Sequence, residues 1–566
     1  MEARIWHEHY DAGVAPSLDY SGRTLVDIFE STVERFPGAV ALIFMNKKIT
    51  YRELYDEVQR LGRAMARLGV KPGTRVAIQL PTLPQAVIAY HAALTIGAQV
   101  VMTNPLYTPR EIEHQWKDAE VELAVVADFI WDQTLRAVRD RLPPKNYIVA
   151  SIPEYLGFPL NWLAPFKLKK QSPPAWAKVE KAPGLHRFKD LIRSTPAEAP
   201  RPEIGLDDLA LLQYTGGTTG VAKGAMLTHR NLASNVEQLV AWFSDVRHGE
   251  EVLMACLPLF HVFGMTVAMN LAVAVGGAAV LIPNPRDIAM LVKSTAKHKV
   301  TIFPAVPALF NAMNNYPGID QIDISSVRSC FSGSAPIPID VLERFEKLTG
   351  ARILEGFGMS ETSPVASCNP LASERKLGSV GIPISDTDMR IVDVDDPDKD
   401  MPVGEEGELL IRGPQVTQGY WNKPEETAAT LRNGWLHSGD LATMDEDGYF
   451  RIVGRKKDMI SAGGLKVFPD EVDNILMAHP DILEAATIGV PDERRGETVK
   501  SFIVLQPGKS MTLEQIDVYC REQLAAYKVP REVEFLPELP KSTVMKVLRR
   551  ELRDRELQKR AAAKPD

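Results

Sequence analysis

Up to about residue 450, apolar positions fall into two alternating patterns: short uninterrupted runs, and stretches that repeat every three to four residues. Thr50 to Leu68 is of the second kind. Thr50 and Glu53 make a capping box, each side chain satisfying a backbone N–H left open by the first helical turn. Leu54, Val58, Leu61, Met65 and Leu68 mark one face at helical spacing. Gly69 serves as the C-cap, because it tolerates the left-handed backbone in which helices end. The turn Lys71-Pro72-Gly73 leads into a strand at 75–80 (RVAIQL). A helix over about 84–95 ends near Gly97 and gives way to a strand at 99–102. This β-α-β-α rhythm predicts an α/β fold whose mostly parallel sheet is covered by helices on both faces.

The longest apolar stretch, Met265 to Ile282, is broken by Asn270 and by Gly276-Gly277. It predicts a buried helix followed by a buried strand, since a membrane span needs about 18 uninterrupted apolar residues. Residues 142–205 interrupt the rhythm with many prolines and the run KLKKQSPPAWAKVEKAP, which predicts a surface excursion of the large domain. Beyond about residue 457 the pattern restarts on a smaller scale. Helices are expected near 469–478 and 512–525, and strands near 484–490 and 499–505. The expected division is a large domain over 1–456 and a small, mobile α+β domain over 457–566, within the ordinary domain size range. The charged, Ala-rich tail after Leu552 predicts a fraying helix.

At 566 residues the chain is too long for one hydrophobic core. A net charge of -8 argues against the broad basic face that nucleic-acid binding usually needs, though not against a local basic patch, so no nucleic-acid partner is expected. Cys256, Cys330, Cys368 and Cys520 form no CxxC pair and fit neither a disulfide framework nor a zinc cluster. They read as reduced, packed thiols of a cytoplasmic protein. The start, MEARIWHEHYDAG, lacks the apolar stretch of a signal peptide. Tyr155 to Lys170 (YLGFPLNWLAPFKLKK) mixes aromatics with a basic end. Two readings stand: a packed surface loop, or a peripheral contact with the anionic inner face of the cell membrane.

Candidate chemistry starts at Tyr214 to Gly224, YTGGTTGVAKG, which follows the apolar run Leu209 to Leu212. Glycines let backbone N–H groups approach phosphate oxygens closely. Thr215, Thr218 and Thr219 add hydroxyls and Lys223 adds a cation. The loop is not a Walker A motif, because Lys223 lies between Ala222 and Gly224.

This loop resembles the signature of the acyl-adenylate-forming superfamily, and its Gly-Gly form continuing as AMLTHRN (225–231) is similar to bacterial long-chain fatty-acid–CoA ligases. Further segments match in order. Leu257 to Gly264 (LPLFHVFG) resembles the segment beside the acyl pocket, and Ser332 to Pro336 (SGSAP) the adenine-contacting turn. Gly356 to Thr362 (GFGMSET) resembles the second nucleotide motif. Asn433 to Asp440 (NGWLHSGD) and Gly454 to Ile460 (GRKKDMI) resemble the ribose and hinge motifs. Pro540 to Arg550 (PKSTVMKVLRR) resembles the catalytic-lysine motif.

The resemblance implies ATP, a fatty acid and CoA as substrates. ATP and the acid would give acyl-AMP and diphosphate, and CoA would then give acyl-CoA and AMP. It implies Lys546 as the cation at the α-phosphate, where charge builds up in adenylate transfer. Mg²⁺ would be held by Glu361 and Thr218 together with ATP phosphates. Tyr214, Thr215, Gly216, Gly217, Thr218, Thr219, Gly220, Lys223 and Gly224 would cradle the phosphates. Gly333, Ser334, Ala335, Phe357, Gly358 and Ser360 would meet the adenosine. Asp440 would accept from the ribose hydroxyls, assisted by Arg455. Gly464 would let the CoA thiol pass, unless it is a simple turn glycine, and Lys457 would be the hinge. His261 either gates the carboxylate or is a satisfied core histidine. Trp242, Phe263 and Phe331 would line the acyl tunnel, although they are also ordinary core formers. Three departures stand out: Met545 replaces the usual Gly before the lysine, Phe357 the usual Tyr, and Ser360 the usual Thr.

Alternatives are a ligase using another acyl acceptor, a medium-chain or aryl acid CoA ligase, and a fatty-acid binder with a degenerate site. The presence of Lys546, Glu361 and Asp440 speaks against the last. Chain-length preference and oligomeric state, a homodimer included, are open.

Overall fold

The computed structural model describes residues 4–215, 222–462, 465–492, 496–542 and 547–562. Residues 1–388 with 412–436 form one compact unit, and 389–411 with 437–566 form a second.

The first unit holds two mostly parallel sheets. In the seven-stranded one the order is Leu185–Arg187, Asn146–Ala150, Leu123–Ala127, Arg75–Gln79, Gln99–Met102, Leu209–Thr215 and Lys223–Thr228. All its neighbours are parallel except the last pair. The nine-stranded sheet is parallel from Arg352–Gly358 through Ser329–Ser332, Ile302–Ala305, Val252–Ala255 and Ala278–Leu281 to Val40–Phe44. Its ends are antiparallel additions.

Local sequence explains the layers. Helix Tyr51–Arg67 starts on the expected capping box, with Glu53 Oε2 accepting from the Thr50 N–H at 2.7 Å. Leu54, Val58, Leu61 and Met65 are fully buried, which stabilises each by roughly 1.5–3 kcal/mol over an exposed position. Helix Pro84–Thr95 is buried on every side, as an all-round apolar helix must be. The apolar stretch near 265–282 is a helix, begun as a wide π-type turn over Gly264–Asn270 and continued over Leu271–Val275. Gly276, at φ 68°, ends it in the left-handed region, and strand Ala278–Leu281 follows. Among the described residues no helix is long and apolar enough to cross a membrane.

The excursion expected over 142–205 needs correction. Asn146–Ala150 pairs with Leu123–Ala127, and Leu185–Arg187 forms the sheet edge. The prolines around the apolar run hide a strand whose last four residues are buried. Within this span the longest stretches without a buried residue are 157–187 and 196–205.

The second unit has two sheets. One contains Asp388–Val392, Gly407–Arg412, Trp435–Met444 and Phe450–Arg455. The other is built on the antiparallel pair Ile482–Asp492 and Gly496–Leu505, with Glu532–Phe535 added in parallel. These strands extend beyond the expected bounds because their pairing continues to Asp492 opposite Gly496. Alternation separates two cores. Ala485 and Ile503 pack with Val472, Leu476, Ile516 and Cys520 beneath helices Pro469–Met477 and Leu513–Gln523. Ala486, Phe502 and Val504 pack with Leu539 and Leu552 of the C-terminal helix Arg549–Ala562 on the other face. All four cysteines are free and buried.

Candidate active site

Strands Leu209–Thr215 and Lys223–Thr228 run antiparallel, with Thr215 opposite Lys223 and Tyr214 opposite Gly224. The glycine-threonine loop therefore joins two strands of one sheet, unlike a Walker A loop that opens a helix. Gly216, Gly217, Thr218, Thr219 and Gly220 lie outside the described residues; their anchors are described. The Tyr214 hydroxyl donates to Asp118 Oδ2 at 2.6 Å, and burial, more than the Asp118 contact, drives its pKa upward. A Cβ on Gly224 would lie 3.0 Å from the Tyr214 ring. Both residues thus shape the base of the loop. Lys223 Nζ lies 3.8 Å from Glu426 and 5.5 Å from the centre of the Tyr420 ring.

Strand Arg352–Gly358 turns back against Val365–Cys368, with Phe357 opposite Ser367 and Gly358 opposite Val365. A Cβ on Gly358 would meet the Pro364 carbonyl oxygen at 2.0 Å, so only glycine fits. Phe357 is half-buried, which leaves part of its ring open for stacking. A 3₁₀ turn over Ser360–Thr362 follows, and it is buried throughout. There the Tyr420 hydroxyl donates to Glu361 Oε1 at 2.7 Å, and the Thr417 N–H donates to the Glu361 carbonyl at 2.7 Å. Burying a carboxylate is costly unless it is hydrogen-bonded, and these bonds hold Glu361 in place. Burial, ahead of the Glu361 charge, raises the Tyr420 pKa, so the hydroxyl keeps its proton.

The sequence reading overlooked Tyr420. Its segment bonds along the loop's second strand: Met226 N–H donates to Gly419 carbonyl at 2.9 Å and Trp421 N–H to Gly224 carbonyl at 2.8 Å. Trp421 Nε1 donates to the Asp118 carbonyl at 3.1 Å. The signal was the run Gly419-Tyr420-Trp421, which is short and carries no titrating group near neutral pH.

The turn Gly333-Ser334-Ala335 follows strand Ser329–Ser332, with Ser334 in the left-handed region at φ 72°. A Cβ on Gly333 would lie 3.3 Å from the Phe263 ring, so the apolar segment and this turn are neighbours. The Phe260 carbonyl accepts from Gln213 Nε2 at 3.1 Å, tying the same segment to the strand before the glycine-threonine loop. His261, partly exposed, accepts at Nδ1 from the Phe263 N–H at 3.3 Å. Trp242 and Phe331 are buried deeper. The Trp242 indole donates to the Asn369 carbonyl at 3.2 Å, and Phe331 packs edge-on against Phe243 at 4.7 Å.

In the second unit, register places Asp440 opposite Arg455, and Arg455 Nε lies 2.9 Å from Asp440 Oδ1. The carboxylate is buried and the guanidinium half-exposed. A turn follows, with Asp458 and Met459 N–H groups both donating to the Arg455 carbonyl. Lys457 is exposed on that turn. Gly464 and Lys546 lie outside the described residues. The residues flanking Lys546 are tied: Lys541 pairs with Val547, and the Leu548 N–H donates to the Pro540 carbonyl at 2.8 Å. Arg549 reaches Asp473 at 2.6 Å and also bonds Asp470.

Residues 29–421 match the family model of the AMP-binding enzyme, and 471–546 match that of the AMP-binding enzyme C-terminal domain. A long-chain-fatty-acid–CoA ligase of Bacillus subtilis (strain 168) is 40% identical over 553 residues, covering 97% of this chain and 98% of that protein. A long-chain-fatty-acid–CoA ligase of Escherichia coli O6:H1 is 41% identical over 558 residues, with 97% and 98% covered. An anthranilate CoA ligase solved with anthranoyl-AMP has a TM-score of 0.83 at 28% identity, covering 96% of this chain and 98% of that one. With both models matched in order and relatives spanning its length, this chain belongs to the AMP-binding enzyme family.

Proposed function

We propose that the protein is an ATP-dependent long-chain fatty-acid–CoA ligase. A fatty-acid carboxylate oxygen attacks the α-phosphorus of ATP, and the bond to the bridging oxygen breaks with loss of diphosphate. The CoA thiol, losing its proton, then attacks the acyl carbonyl, and the anhydride bond breaks to release AMP. The observation that carries this reading is the full-length similarity, near 40%, to relatives named as long-chain-fatty-acid–CoA ligases.

In this reading Lys546 meets the charge that builds up on the α-phosphate. Thr215, Gly216, Gly217, Thr218, Thr219, Gly220 and Lys223 hold the phosphates over a base formed by Tyr214 and Gly224. The half-buried Phe357 and the Gly333–Ala335 turn take the adenine, beside Gly358 and Ser360. Asp440, held by Arg455, takes the ribose. His261 and Phe263, next to that turn, border the carboxylate, while Trp242 and Phe331 form the deeper wall of the acyl tunnel. Gly464 leaves room for the CoA thiol.

Mg²⁺ fits the donor set. It keeps phosphate and water oxygens and takes one or two carboxylates. The described residues offer the buried Glu361 and contain no group of three or more metal-binding side chains. When bound with ATP, Mg²⁺ would neutralise phosphate charge, with Glu361 and Thr218 as its protein ligands.

One site serves two steps, so the proposal includes a rotation. Its domains are 1–456 and 457–566, pivoting at Lys457. That residue lies inside the second compact unit, after the sheet that ends at Arg455 and before the one that begins at Ile460.

A panel of fatty acids from short to long, with aryl acids beside them, tests the reading by CoA-dependent AMP release. Turnover should rise with chain length. Preference for an aryl acid would replace this reading with an aryl CoA ligase.

A further inference from the structure

Helix Leu160–Lys169 has no buried residue. It rests on Ala164, Pro165 and Leu168, which are only partly covered, and the Leu168 carbonyl accepts from the Ala175 N–H at 3.0 Å. The opposite side carries large apolar groups. Phe158, Trp162 and Phe166 are 83%, 68% and 65% exposed. Trp162 and Phe166, four residues apart, share one face of the helix and meet edge-on at 6.2 Å, and Phe158 stands just before its first turn. Isolated exposed apolar residues are ordinary, but a contiguous aromatic stripe marks a binding surface.

Charge decides what covers it. Residues 156–181 contain Lys167, Lys169, Lys170, Lys178 and Lys181 against one acid, Glu180. Lys169 and Lys170 follow Phe166 by three and four residues, so they extend the stripe by a turn on the same side. A second copy docked there would bring two basic clusters together. An anionic lipid surface instead takes aromatic and aliphatic side chains among its acyl chains and lysines at its headgroups.

We infer that Phe158, Trp162 and Phe166 insert into an anionic membrane surface, with Lys167, Lys169 and Lys170 bound to its headgroups. The inference rests on the fatty-acid reading for its purpose: a long-chain acid partitions into lipid, and docking brings the enzyme to it.

The test is cosedimentation of the full chain with vesicles of equal parts phosphatidylcholine and phosphatidylglycerol, and with phosphatidylcholine alone, without substrate. Wild type should bind the anionic vesicles at least tenfold more tightly, and rising salt should weaken that binding. Trp162→Glu with Phe166→Glu should cost tenfold or more. Lys167→Gln with Lys169→Gln and Lys170→Gln should abolish the preference for anionic vesicles. AMP release from a dissolved medium-chain acid should stay at the wild-type rate in both variants. That readout separates failure of docking from failure of the ligase reading or of folding. Unchanged vesicle binding in the aromatic variant would overturn the inference. So would a solution dimer of the wild type that Trp162→Glu dissociates, which would assign the stripe to a second copy.

Discussion

Among single residues, Glu361 is the most firmly held side chain of the proposed nucleotide site. Its buried carboxylate accepts from Tyr420, whose segment runs along strand Lys223–Thr228 after the glycine-threonine loop. Glu361→Ala should weaken use of Mg²⁺-ATP with the fold retained, read as a shifted Mg²⁺ dependence of AMP formation. Tyr420→Phe removes only the bond that orients Glu361. It should raise the Mg²⁺ requirement in the same direction but less, and an unchanged Mg²⁺ curve in both would take Glu361 out of the metal site. Glu361 entered the sequence reading through the resemblance of Gly356 to Thr362 (GFGMSET). Tyr420 did not, since its bond to Glu361 appears only when residues 59 positions apart meet.

Among the structural elements, the C-terminal lysine motif is anchored from both sides. Lys541 bonds Glu484, and Arg549 bonds Asp470 and Asp473 of helix Pro469–Met477. Asp473 is almost completely buried, and burial, opposed by Arg549, raises its pKa. Arg549→Ala leaves that carboxylate without its cation, a loss that costs about 3–5 kcal/mol in comparable buried pairs. Its thermal midpoint should fall, and adenylation should fall more than transfer from supplied acyl-AMP. Adding Asp473→Asn should restore much of the midpoint but not the adenylation rate. Full recovery of both would make Arg549 purely structural. Legibility of elements followed local signals. The capping box at Thr50 and the helix Pro84–Thr95 were readable from a few adjacent residues. Strand Asn146–Ala150 was not, because its place is fixed by pairing with a strand some 20 residues earlier, amid prolines.

Across the whole molecule, the α/β architecture with a small α+β domain was legible from the alternation of periods. The compact units were not. The second unit takes residues 389–411 and 437–456 together with the C-terminal residues, and no local pattern marks those crossings. This sharpens the test of the pivot. Lys457→Pro fixes φ near −65° in the turn after Arg455. It should retain acyl-AMP formation and reduce CoA transfer severely, measured as separate half-reactions. Wild-type rates in both steps would remove residue 457 as the pivot and turn attention to the crossing at 436/437.

In the proposed reaction this chain makes acyl-AMP from a long-chain fatty acid before CoA takes part, with Lys546 serving that first step. Pyrophosphate–ATP exchange, with palmitate and without CoA, measures it directly in wild type and Lys546→Ala. Transfer from supplied palmitoyl-AMP to CoA is followed beside it. Wild type should exchange only when the fatty acid is present. Lys546→Ala should lose on the order of 10²–10³ in exchange while retaining transfer. Absence of palmitate-dependent exchange in wild type, or equal loss of both half-reactions in the variant, would contradict the account.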